Sequence, residues 1–163
     1  MKATKSTTKQ KKLIDKNFTL KKWDKSWTYI KTVIDIVREP ILILDMNFRV
    51  MFANDPFYKV FRVKQNETKG KIVYNLGNGQ WDIPLLRKLL EKILPKHTYF
   101  KGFKVDHLFP MIGRKVMLLN ARQIHVKDKS NSEERSPIIL LAIEDITAMM
   151  SVAEAVANRI GNK

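Results

Sequence analysis

The chain has 163 residues, 44% of them apolar, and no cysteine. That length and composition suit one packed domain with extensions; the missing thiols exclude disulfides, thiolate zinc sites, c-type haem attachment and cysteine nucleophiles. The net charge of +15 is uneven, because residues 1–31 hold ten lysines against Asp15 and Asp24, while the remainder holds 21 basic and 14 acidic side chains.

No run reaches the roughly 18 consecutive apolar residues of a membrane helix. No apolar stretch follows the basic start within signal-peptide distance. A soluble, cytoplasmic protein without a membrane span is therefore expected. Residues 1–22 form a basic tail whose first part, "MKATKSTTKQKK", lacks periodicity and is expected to be disordered. Such an arm either only keeps the chain solvated or draws in phosphate backbones, so nucleic acid is a candidate partner through the tail. Residues 1–17 contain no arginine and no aromatic ring for stacking on bases.

Residues 23–38 predict an amphipathic helix. Trp23, Trp27, Ile30, Ile34 and Val37 recur at steps of four and three, which aligns them in one apolar stripe. Pro40 closes the helix, since the residue before a proline avoids helical angles. The stripe is too short for a self-sufficient coiled coil, so it must pack on the domain or on a second copy. It is the expected seam of a homodimer.

The core is expected over 39–147. Ile41 to Leu44 and Phe48 to Ala53 predict a hairpin around the turn Asp45-Met46-Asn47. Asn54 or Asp55 caps a short helix with Pro56 in its first turn. "KQNETKG" predicts a polar connection. Asp82 is expected to cap the next helix, which carries a wide leucine-rich face and ends at Pro95. Three strands follow: "TYFKGFKVDHLF", "RKVMLLNARQIHV" and "PIILLAIEDIT", the last apolar enough for a central position. The charged "KDKSNSEERS" is expected to be a hairpin loop. Residues 148–163 predict a final helix. Five strands, with helices between the first two and the last three, give an α+β fold: a five-stranded antiparallel sheet with helices crossing one face.

The Gly77-Asn78-Gly79 turn before Trp81 is not a phosphate loop. That loop needs further glycines, a following Lys-Ser/Thr and a preceding strand. The two glycines instead permit positive φ. Paired carboxylates, Ser–His pairs and metal-ligand sets at useful spacing are lacking, so neither catalytic residues nor a metal site are expected.

In order and spacing, "REPILILDMNFRVMFANDPFYKVFRV", "YNLGNGQWDIPLLRKLLEKILP", "MLLNARQI" and "IILLAIEDIT" resemble a PAS domain, the sensory and dimerisation module of bacterial signalling proteins. They are most similar to PAS domains of sensory histidine kinases, including those fused to chemotaxis methyltransferase and methylesterase modules. The resemblance covers roughly residues 33–150 and implies a PAS fold. No kinase, methyltransferase or DNA-binding domain is expected within these residues, a departure from that setting. A non-enzymatic module acting on a separate histidine kinase or other signalling protein is thus implied. The resemblance also implies a ligand space between helices and sheet, with Phe52, Tyr58, Trp81, Leu89, Asn120 and Ile143 as candidate surroundings. Trp81 is either a core plug or part of a ligand wall; Asn120 either meets a ligand or bonds to backbone or solvent. The cofactor is unknown: flavin-adduct chemistry lacks its cysteine, and haem has no histidine on the long helix, with His97 just beyond it. "EDIT" resembles the Asp-x-Thr signal-transfer motif, with Asp145 and Thr147 coupling sheet to helix; the alternative is a plain helix cap.

Overall fold

The computed structural model describes residues 27–125 and 136–161. It divides into two units, Met1–Val37 and Arg38–Lys163. In the first, helix α1 runs over 27–35, and the Val37 amide donates to the Ile34 carbonyl at its end. Ile34 is buried, and Trp27, Ile30 and Val37 are half-buried. Tyr29, Val33 and Ile36 form a second apolar row that is 73%, 59% and 80% exposed. Trp23, the basic tail and most of the charged connection after Ile124 lie outside the described residues.

The second unit holds one antiparallel sheet built from β1 (Ile41–Leu44), β2 (Val50–Ala53), β3 (Tyr99–Phe109), β4 (Gly113–Ile124) and β5 (Ile138–Asp145). Their order is β2-β1-β5-β4-β3, so the most apolar strand is central, as its composition implied. Alternation sets the faces. Ile139, Leu141 and Ile143 point into the core beneath the helices, and Leu140 and Ala142 remain half-buried on the other side.

The β1–β2 turn follows its residue types. The Asp45 carboxylate accepts from the amides of Asn47 and Arg49 at 2.8 and 2.9 Å. Asn54 then starts α2 (Asp55–Phe61), accepting from the Phe57 amide with Pro56 in the first turn. The segment expected as a plain polar connection contains one helical turn, α3 (Gln65–Thr68). The buried Thr68 hydroxyl donates to the Lys64 carbonyl there, so the turn has a partner that polarity alone did not indicate.

The turn over Leu76–Gly79 has three successive residues in left-handed backbone: Gly77, Asn78 and Gly79, at φ 57°, 59° and 85°. Two glycines and an asparagine are the types that adopt it at least cost. The helix beyond begins with α4 (Pro84–Lys88), but Asp82 does not cap it. Ile83 stands at the cap position with no side-chain bond, and Asp82 pairs with Arg87 instead. Nor does the helix stop at Pro95. A π-helical turn over Leu89–Ile93 leads into α5 (Leu94–His97). A proline cannot donate to the carbonyl four residues back and crowds it; the wider π turn removes that demand. Thr98, at φ 61°, terminates the helix. The last described element is α6 (Thr147–Gly161), which buries none of its residues.

Candidate functional site

Trp81 lies at the centre of an aromatic cluster and is only 2% exposed. Its ring centroid is 4.6 Å from Phe61, 5.5 Å from Phe57 and 5.5 Å from Phe109. Phe57 and Phe61 come from α2, and Phe109 from β3. Trp81 thus packs in the core between helices and sheet, among rings from α2 and β3. Leu89 and Ile143 belong to the same buried cluster, and Tyr58 packs half-buried against it. Burial raises the Tyr58 hydroxyl pKa, and the neighbouring Asp55 raises it further.

Phe52 and Asn120 do not join those four. Ala53 points into the core and so do Leu119 and Ala121, so period-two alternation turns Phe52 and Asn120 to the opposite face. There the Asn120 side-chain oxygen accepts from the Gly102 amide at 2.8 Å, which is the backbone bond considered from sequence. The six candidates are thus divided between two faces of the sheet.

The junction between β5 and α6 is held together by polar contacts. The Thr147 amide donates to the Asp145 carboxylate at 3.0 Å, and the Thr147 hydroxyl also bonds to that carboxylate. The Val116 amide on β4 donates to the Thr147 hydroxyl oxygen at 3.0 Å, and the Ile146 amide donates to the Val116 carbonyl at 2.9 Å. Lys115 meets the other Asp145 oxygen at 2.7 Å, with both side chains only 20% and 23% exposed. Partial burial pushes the Asp145 carboxyl up. The hydrogen bonds from Lys115 and from the Thr147 hydroxyl and amide outweigh that, and its pKa lies below the ordinary value. A plain cap would bond only to its own helix; these residues also tie the helix start to the neighbouring strand.

About two turns further along the helix, Arg114 extends this connection. It grips Asp106 on β3 at 2.7 and 3.0 Å and Glu154 on α6 at 2.9 and 3.0 Å. The guanidinium lowers the pKa of both carboxyls. Sequence reasoning missed this bridge because Arg114 and Glu154 are 40 positions apart, with no local pattern joining them. A second missed group surrounds Tyr74. Its hydroxyl is buried, and burial together with the nearby Glu91 carboxylate drives its pKa far up. The Arg87 guanidinium covers its ring at 4.0 Å.

Among the described residues, no helix is long and apolar enough to cross a membrane. No family model matches the chain, and no curated protein matches it. Solved structures do. The PAS domain of Bordetella pertussis BvgS superposes with a TM-score of 0.53 at 18% identity, covering 85% of this chain and 99% of that one. The PAS domain of an HTR-like protein from Haloarcula marismortui gives 0.53 at 12% identity, over 80% and 99%. The Rhodobacter sphaeroides LOV protein gives 0.62 at 16% identity, over 82% and 74%. In strand order, in the helices crossing one face and in these likenesses, this chain has the fold of a PAS domain.

Proposed function

We propose that the chain is a non-enzymatic sensory and interaction module of cytoplasmic signal transduction. It dimerises and modulates a separate partner, such as a histidine kinase or a regulator. The observation that carries this reading is the junction at Asp145 and Thr147. A helix that buries no residue takes its direction from a few hydrogen bonds to β4, so a small change in the sheet alters where the helix points. Trp23, Trp27, Ile30, Ile34 and Val37 are the proposed dimer seam, and Asp145 and Thr147 the proposed transfer residues. Any ligand held beneath the helices would have to displace packed rings around Trp81, so the reading does not require one.

Native mass spectrometry of the purified chain tests this. A dimer mass supports the module, and extra mass lost on denaturation would identify a retained ligand. A bare monomer at micromolar concentration would remove dimerisation from the reading. The charge of residues 1–31 favours a second reading, a nucleic-acid-associated regulator. It requires binding that weakens steeply with salt and is lost on deleting residues 1–22.

A further inference from the structure

On the sheet face opposite the aromatic core, β3, β4 and β5 form a groove of about 210 Å³. Tyr99, Lys101, Asn120, Arg122, Leu140 and Ala142 line it. The pairing explains its shape. Tyr99 lies opposite Arg122, Arg122 opposite Leu140, and Asn120 opposite Ala142, so the side chains form two adjacent cross-strand rows. The ladder between β3 and β4 is irregular between Phe100 and Phe103, and Gly102 there has φ 71°. Asn120 reaches into this irregularity and accepts from the Gly102 amide.

That bond determines what the groove offers. With its oxygen engaged, the Asn120 side chain presents its NH₂ as a donor. Arg122, whose guanidinium lies 5.5 Å from the Tyr99 ring, and Lys101 add positively charged donors. Among the described residues, neither cation is paired with a carboxylate. Leu140 and Ala142 provide an apolar floor, and the half-exposed Tyr99 ring an aromatic wall. Three donor groups without a matching acceptor favour an anion, which an arginine fork binds in two-pronged geometry. The apolar floor and wall favour a hydrocarbon or aromatic body beside it. The volume is below the about 300 Å³ at which pockets for drug-sized ligands begin, so the occupant is small.

We propose that this groove binds a small soluble molecule with a carboxylate or phosphate headgroup and a short apolar or aromatic body. The anion bridges Arg122, Lys101 and the Asn120 amide, and the body lies on Leu140 and Ala142 against Tyr99. This is a site on the opposite face from the aromatic core.

The test is a ¹H–¹⁵N NMR titration of the full chain with phenyl phosphate and, separately, octanoate. Inorganic phosphate and phenol serve as charge-only and body-only controls. Saturating shifts confined to Lys101, Gly102, Asn120, Arg122 and Leu140, weaker with either control, are expected. Arg122→Gln, at an exposed position, should weaken binding about tenfold and leave the unperturbed spectrum folded. Asn120→Ala should weaken it too. Failure to saturate, shifts scattered over surface lysines, or undiminished binding by Arg122→Gln each overturn the proposal. Binding to phosphatidylglycerol vesicles without binding to either soluble probe would assign the groove to a lipid surface and overturn the soluble ligand.

Discussion

Asn54 shows how much one side chain can carry. It is fully buried, and its oxygen accepts from the Ile41 amide at 2.8 Å and the Phe57 amide at 3.2 Å. Its NH₂ donates to the Glu39 carbonyl at 2.9 Å. One residue therefore starts α2 and secures the entry to β1. Asn54→Ala is expected to destabilise the fold by about 1–3 kcal/mol through the stranded Ile41 amide alone; urea unfolding measures it, and a loss within error would refute the assigned role. Trp81 acts by packing instead. Trp81→Ala should cost about 3–5 kcal/mol, as large aromatic truncations in cores do. A variant with unchanged urea midpoint would show that the four-ring cluster is not the support described here.

Among the elements, α6 stands apart because it is attached through polar contacts rather than burial. The Asp145 pKa is lowered in the fold. Its contribution is therefore fully present above the ordinary carboxylate value of 3.8 and is lost as pH falls through the lower folded value. The stability gap between the native chain and Asp145→Asn should accordingly be largest near neutral pH and close progressively below about pH 4. A gap that persisted undiminished at pH 2 would exclude this ionisation as its source. Arg114→Ala should speed amide exchange within residues 147–161 while leaving β4 and β5 protected. Equal exchange in both proteins would mean that the Arg114–Glu154 pair does not hold the helix.

At the scale of the whole molecule, the proposed homodimer is tested through its seam. Trp27→Glu should give a monomer with an unaltered far-UV spectrum, read by light scattering. A dimer that survives Trp27→Glu but not Val33→Glu would move the seam to the exposed row of Tyr29, Val33 and Ile36. Survival of both would exclude a dimer built on this helix. The sequence by itself determined the order of the five strands and the main helices, the central place of β5, a cap at Asn54 or Asp55, and the freedom for positive φ at Gly77 and Gly79. Each of these rests on local chemistry: β-branched runs, a capping side chain, a residue without Cβ. The tertiary structure alone decided that the helix continues past Pro95 and that Asp82 pairs with Arg87 instead of capping. It also decided that Phe52 and Asn120 lie across the sheet from Trp81, and that Arg114 reaches Glu154. A strand shows its two faces in the alternation of its residues, but which face receives the helices depends on pairing with distant strands. A long-range ion pair leaves no periodic trace in the chain, because it depends only on where two separate elements come to rest.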